Sequence, residues 1–280
     1  MLVNTQDSVP RHQLVLSEVG ISNLKTLVTI NRKNSGSFRF ITTVDMTINL
    51  PADRKGAHMS RLVESISEIF LNSQEGNESI EMLNERALTL LREKHPFLTG
   101  SINIRFDFAW YRKTPVTNRE SLEVYPISVH TILNQRLEFV HRISVVATGS
   151  TACPHALAVA DGKRTHIQRA VGTLTVTARS GETPSFEDLI SVADSSFSAP
   201  TFSVLKTEDE EWIVRTMFEQ PFFCEDVTRN LLVNADNTFS GKMNFMAEVR
   251  SEESIHKHDV IAKGTLIRDI ELDMAEAYRN

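Results

Sequence analysis

Cysteine is scarce. Cys153 and Cys224 are the 2 cysteines in 280 residues. That is too few for a disulfide framework, so a reducing compartment is the simplest setting. Cations are in deficit as well: 30 lysines and arginines stand against 36 aspartates and glutamates, a formal net charge of −6. A general nucleic-acid binder needs a basic face, so that class is set aside. One anionic ligand in a local basic pocket remains compatible with the balance. No uninterrupted apolar run is long enough to span a bilayer. The opening residues, Met1 to Ser8, lack the charged-then-apolar pattern of a signal peptide. The expectation is a soluble, cytoplasmic protein with neither nucleic acid nor membrane as a partner. A hydrophobic content of 41% supplies a packed core, and the length suits one large domain or two smaller ones.

What the chain does have is alternation. Residues 1–20 carry Pro10 and no clear period, and read as an N-terminal arm. Leu24 to Asn31 reads as a strand, Asn31 to Gly36 as a turn cluster, and Phe38 to Leu50 as a second strand. The alternation slips at Ile41-Thr42, which predicts a bulge there. Pro51 ends the strand and opens a cationic loop to His58. Met59, Leu62, Ile66, Ile69 and Phe70 then fall at helical spacing. A second helix carries Ile80, Leu83, Ala87 and Leu91 and stops at Pro96. Ile102, Ile104, Phe106, Phe108 and Trp110 alternate cleanly as a strand. Leu122 to Leu133 is another, and Pro126 within it predicts an edge or bulged strand.

The β-β-α-α-β-β order then recurs. Strands are predicted at Leu137–Ala147 and Gly172–Ala178. Helices are predicted after capping boxes at Ser185–Asp188 and Thr207–Glu210, and around Phe223, Val227 and Leu231. Strands follow at Met243–Val249 and Val260–Ile270. The plan is α+β: two tandem ββααββ modules, 21–134 and 135–280, whose antiparallel sheets bury one face under helices. Open sheet edges call for a neighbour, so self-association is expected.

Two side chains suggest chemistry. Cys153 lies just past an alternating segment and His166 opens the next one. A thiol and an imidazole thus meet across one short connection, and these are the usual soft and borderline ligands for a divalent transition metal. By spacing alone, a lone cysteine such as Cys153 is more often a small buried hydrophobe than a ligand.

Six stretches, in order, carry a resemblance: Val19 to Lys25, Lys55 to Arg61, Ser150 to Pro154, Thr165 to Arg169, Phe223 to Asp226 and Glu253 to His256. Together they resemble the type IB GTP cyclohydrolases, and more closely their archaeal branch, over residues 19 to 267. The resemblance implies the tunnelling fold, in which paired ββααββ modules assemble side by side into a barrel within an oligomer. It also implies a reaction: water adds at C8 of the guanine ring, that carbon leaves as formate, and the skeleton recloses as a dihydropterin.

The resemblance further implies roles. Cys153, His166 and Glu210 match the metal ligands, with Fe(II) expected first and Zn or Mn(II) as alternatives. Glu208 or Glu211 replaces Glu210 if the register differs, and Thr207-x-x-Glu210 also reads as a helix cap. Glu225 matches the carboxylate that anchors the purine edge, against a plain helix-start acid. Cys153, Glu253 and His256 match the catalytic residues, and without the resemblance His256 reads as a surface histidine. Arg54, Lys55, His58 and Arg61 match a triphosphate-binding cluster, which in a dimer or tetramer is open to the active site of a neighbouring subunit. His155 stands where many relatives carry a second cysteine, so a two-thiol redox role is not expected. The archaeal branch implies 7,8-dihydroneopterin 2′,3′-cyclic phosphate as product, on the way to a methanopterin- or folate-like cofactor. The alternatives are the bacterial product, dihydroneopterin triphosphate, a pterin-acting enzyme of the same fold such as an aldolase, and a protein that only binds a purine or pterin.

Overall fold

The computed structural model describes residues 5–32, 36–71, 78–239 and 241–272. The strands are β1 (Leu16–Arg32), β2 (Gly36–Leu50), β3 (Gly100–Lys113), β4 (Glu120–Leu133), β5 (Phe139–Ala152), β6 (Ile167–Arg179), β7 (Ala199–Pro200), β8 (Asn244–Ser251) and β9 (Val260–Leu266). The helices are α1 (Met59–Leu71), α2 (Ile80–Lys94), α3 (Pro154–Val159), α4 (Phe186–Asp194), α5 (Thr207–Glu219) and α6 (Cys224–Thr238). The strands form one sheet in the order β1-β2-β3-β4-β5-β6-β8-β9, with β7 beside β5. Every described strand pair is antiparallel. The α+β class therefore stands as expected.

The alternating residues explain the layers. Val44, Met46 and Ile48 of β2, Ile102 and Ile104 of β3, Ile143 and Val145 of β5 and Leu174 and Val176 of β6 all point into one core. Helix α1 packs against β1, α2 against β3 and β4, α4 against β5 and β6, and α6 against β6, β8 and β9. Each such buried side chain contributes roughly 1.5–3 kcal/mol. No helix among the described residues is long and apolar enough to cross a membrane.

Several expectations are corrected. β1 starts at Leu16, inside the stretch read as an arm, because Leu16 to Ile21 pair with Leu50 to Met46. The bulge is not at Ile41-Thr42: Ile41 pairs Leu27 and Thr42 pairs Thr26 in register. Alternation continues there with a polar residue inward. Thr42 is buried and its hydroxyl donates to the Thr26 carbonyl at 3.2 Å, while Ile41 is 78% exposed. The irregularities lie in β1, between Leu16 and Val19 and between Ile21 and Leu24. There Asn23 takes a positive φ of 59°, which asparagine tolerates, and its N–H donates to Asp45 Oδ1 at 2.8 Å. Part of the Asn31–Gly36 turn lies outside the described residues.

Strand β4 is central, not an edge. It pairs β3 along its whole length, Pro126 included, but pairs β5 only from Ile127 onward. Proline has no N–H to donate, and the β4–β5 ladder ends beside it. Past that fork, β7 takes the vacated edge of β5 at Gly149 and Ser150. Phe197 helps to bring it there. Its ring fills a notch over Gly149 and Gly172, and a Cβ on Gly149 would lie 2.2 Å from the ring. The connection after Cys153 holds a short helix, α3, that the alternation did not announce. The last strand ends at Leu266, short of Ile270.

The ladders also fix two ends of the sheet. Leu50, Gly100, Leu133 and Phe139 share one end, while Lys113, Glu120, Ala152, Ile167, Ser251 and Val260 share the other. With 14 residues in β5, the ends stand about 45 Å apart at the usual strand rise.

Candidate active site

Cys153 caps α3 at the second of these ends. Its backbone N–H donates to the His166 carbonyl at 3.2 Å, extending the β5–β6 ladder by one step. The Thr165 hydroxyl donates to the Cys153 carbonyl at 2.7 Å. Cys153 Sγ accepts from the Ala156 N–H at 3.4 Å and is half-buried. Sequence thus brings the thiol and the imidazole residue opposite one another, as their positions at the strand ends predicted.

Behind His166 runs a polar chain. His166 Nδ1 lies 2.9 Å from Gln168 Oε1, and Gln168 Nε2 donates to Glu253 Oε1 at 3.1 Å. The Ser251 hydroxyl donates to the same carboxylate oxygen at 2.9 Å. Ser254 Oγ is 3.4 Å from His166 Nδ1. The chain ties the ends of β6 and β8 together. Gln168 sat inside the Thr-His-Ile-Gln-Arg stretch, yet its position two residues from a histidine on the same strand face was the only signal for its role.

Helix α5 brings Glu210 to this end. Ile213 and Met217 pack with Ala152 and Ala199, joined by Phe202, Leu205 and Trp212. The cap differs from the expectation by one residue: Asp209, not Glu210, accepts from the Lys206 N–H, at 3.1 Å. Asp209 also accepts from the N–H groups of Val116 and Thr117 at 3.0 and 2.9 Å and from the Thr117 hydroxyl at 2.6 Å. Burial alone would raise its carboxyl, but these donors outweigh it and hold the group well below the usual carboxylate range. Asp209 is therefore structural. Glu210 is exposed, and its carboxylate has no hydrogen-bond or ion-pair partner among the described residues. Glu211 pairs loosely with Arg215 at 3.9 Å, and Glu208 is exposed. Among the described residues no three His, Cys, Asp or Glu side chains are gathered closely enough to hold a metal ion. Cys153 and His166 are paired through their backbones across the strand ends, and Glu210 shares that end of the sheet without closing on them.

Helix α6 begins at the same end. The Cys224 thiol donates to the carbonyls of Val249 at 3.3 Å and Val260 at 3.6 Å. Burial, with the charge of Glu225 beside it, pushes that thiol up to about 11. Cys224 is thus a neutral core residue, and it anchors the turn that presents Glu225 to solvent. His256 and His258 stack at 5.2 Å in the exposed β8–β9 connection.

The basic loop lies elsewhere. Arg54, Lys55, His58 and Arg61 follow β2 at the opposite end of the sheet. The N-terminal turn at Thr5–Asp7 holds them: Asp7 pairs Arg54 at 2.5 Å and lies 3.6 Å from His58, and the Lys55 and Gly56 N–H groups donate to the Gln6 carbonyl. Arg61 donates to the Lys94 carbonyl at 2.8 Å. Beneath them is His95, which sequence reading missed because it sits outside the motif, beside Pro96. It is 2% exposed, its ring is 5.5 Å from that of His58, and its Nε2 has no hydrogen-bond partner among the described residues. Burial first, and then the nearness of His58, Arg61 and Arg54, hold its imidazole below the ordinary value.

The chain is similar to known proteins along nearly its whole length. Residues 2–262 match the family described as type I GTP cyclohydrolase folE2. The chain is 42% identical to a GTP cyclohydrolase MptA of Pyrococcus abyssi, covering 94% of this chain and 99% of the relative. It is 41% identical to the protein of that name from Thermococcus kodakarensis, with the same coverage. A GTP cyclohydrolase FolE2 of Thermosipho africanus is 32% identical, covering 92% of this chain and 96% of the relative. A solved urate oxidase from Bacillus sp. TB-90 superposes with a TM-score of 0.47 at 9% identity, covering 89% of this chain and 99% of that one. On the strength of the family match and of relatives above 40% identity along nearly the whole chain, this protein belongs to the type I GTP cyclohydrolase folE2 family.

Proposed function

We propose that this chain opens the guanine ring of GTP at C8, releases that carbon as formate, and yields 7,8-dihydroneopterin 2′,3′-cyclic phosphate and pyrophosphate in a pterin-forming pathway of the cytoplasm. The observation that carries the reading is the Cys153–His166 pair, held opposite by a backbone hydrogen bond at the end of β5 and β6. The MptA proteins of Pyrococcus abyssi and Thermococcus kodakarensis, at 42% and 41% identity, are more similar to this chain than the FolE2 of Thermosipho africanus at 32%, and that supports the cyclic phosphate over the triphosphate product.

The donor chemistry fits a divalent metal: a half-buried thiol and an imidazole whose Nδ1 is engaged, so that Nε2 is the ring nitrogen left to bind. Glu210, whose side chain has no partner among the described residues, is the carboxylate that would complete the set. Fe(II) is the ion of choice, with Zn and Mn(II) as alternatives. When bound, such an ion lowers the pKa of a water toward 7 and polarises the attacked carbon.

The chain's own residues do the rest. Glu225 accepts the N–H and amino hydrogens of the guanine edge, a task suited to an acceptor-only carboxylate. Glu253 is engaged with Gln168 and Ser251, so His256 is the group of its motif that moves a proton to the departing nitrogen. Arg54, Lys55, His58 and Arg61 bind the triphosphate and stabilise the charge of leaving pyrophosphate. They lie about 45 Å from Cys153 along the strands, so this loop serves the site of a neighbouring copy. The terminal strands β1 and β9 each have one neighbour in the sheet, and side-by-side association of the 21–134 and 135–280 modules of several copies, as a dimer or tetramer, would cover them.

The test is anaerobic incubation of GTP with the metal-loaded protein, followed by mass spectrometry and phosphorus NMR. Formate, a cyclic phosphodiester signal and free pyrophosphate are expected. A triphosphate retained on the pterin would assign the bacterial-type product, and unreacted GTP would leave a binding protein.

A further inference from the structure

We propose that Gln168 is a positioning residue that sets the tautomer of His166, and that Glu253 acts through Gln168 to do so. This role presupposes that His166 is a metal ligand, and it involves four side chains. A glutamine amide has one end that accepts and one that donates. Glu253 Oε1, as part of a carboxylate, only accepts, and it already takes the Ser251 hydroxyl hydrogen at 2.9 Å. The amide end 3.1 Å from it must therefore be the NH₂ of Gln168. That leaves Gln168 Oε1, an acceptor, 2.9 Å from His166 Nδ1. A contact between an acceptor and a ring nitrogen requires the ring to donate, so the proton sits on Nδ1 and the Nε2 lone pair is free. Neutral imidazole with a free Nε2 is the form that binds a divalent metal, and residues behind a ligand commonly fix it in this way.

The chain of constraint runs from β8 to β6. Ser251 is buried, and its oxygen is 3.4 Å from that of Thr151. Glu253 is thus held by a residue that is itself fixed by the sheet. Reversing the amide would put Gln168 Oε1 against the carboxylate and its NH₂ against the imidazole. That arrangement places two acceptors together and forces the proton onto Nε2, where it blocks metal binding. The geometry gives Glu253 a task without contact with substrate.

The test uses the full-length metal-free protein labelled with nitrogen-15. Two-bond proton–nitrogen correlation spectra report which ring nitrogen carries the proton, and loss of the signal in His166→Gln assigns it. A proton on Nδ1 is expected, and one on Nε2 overturns the inference. Gln168→Leu should populate the Nε2–H form and raise the Co(II) dissociation constant about tenfold to a hundredfold, as for loss of a group behind a ligand. The titration is followed by thiolate-to-cobalt absorption. The paired exchange Gln168→Glu with Glu253→Gln restores an acceptor toward His166 and a donor behind it, and should return the Nδ1–H form and tight Co(II) binding. An unchanged Co(II) constant in Gln168→Leu, or no rescue by the exchange, overturns the inference. Absence of Co(II) binding by the unaltered protein sinks the metal reading instead, while the nitrogen spectra still decide the tautomer.

Discussion

Asp209 and Thr117 are joined twice, once through the Thr117 N–H and once through its hydroxyl, although 92 residues separate them. The pair fastens the start of α5 to the turn between β3 and β4. Glu210 therefore reaches the Cys153 end of the sheet because Asp209 is locked one position before it.

The first expected outcome concerns that lock. Asp209→Ala leaves the N–H groups of Val116, Thr117 and Lys206 without their acceptor, and the melting temperature should drop by several degrees. The folded carboxyl titrates below its ordinary value of 3.8. Its contribution is thus complete above that value and is lost as pH falls through the lower folded value. Thermal melts of the natural chain and Asp209→Asn should differ at pH 6 and converge toward pH 2, about the range set by a depressed carboxyl. A gap that stays constant with pH contradicts the assignment.

Cys153→Ala should abolish metal uptake and formate release with little change in circular dichroism. The thiol is half-buried at a strand end, and the Ala156 N–H that loses its sulfur acceptor lies in a short helix open to water. Metal analysis after anaerobic loading reads the outcome. Full stoichiometry in the variant would remove Cys153 from the ligand set.

Glu225→Gln should weaken GTP binding without loss of metal. Hydrogen bonds to a charged group are worth about 1.5–3 kcal/mol, roughly a tenfold to hundredfold change in affinity. Calorimetric titration with GTP measures it. An unchanged dissociation constant would leave Glu225 a helix-start acid.

The separation of the basic loop from Cys153 predicts complementation between copies. A chain carrying Arg54→Ala and Lys55→Ala and a chain carrying Cys153→Ala should each be inactive. Co-expressed or mixed after mild dissociation, they should recover part of the natural rate, because some sites then combine an intact loop with an intact thiol. Activity equal to the sum of the separate variants would show that loop and thiol do not share a site across copies.

Local pattern in the chain was enough for the layers and for the pairing of chemistry at one strand end. Period-two apolar runs such as Ile102 to Phe108 have one way to bury a face, and the stripe Leu62, Ile66, Ile69 has one way to cover it, so the α+β plan was legible. Cys153 and His166 were legible together because a short connection between adjacent antiparallel strands must bring its two ends opposite one another. Pro126 misled, because lack of an N–H marks the end of a ladder on one side only, and which side was lost depended on where β5 diverged. Thr42 misled because a buried threonine bonded to the Thr26 carbonyl looks like a break in an apolar pattern. Long-range polar partners were not legible at all. Asp209 chose Thr117, Gln168 chose Glu253, and His95 came to lie under His58, because folded strands and helices brought together groups that no local period relates. The opposite placement of the basic loop and the thiol also belongs to the tertiary structure alone. It follows from counting antiparallel reversals through a continuous sheet, which only the completed ladder fixes.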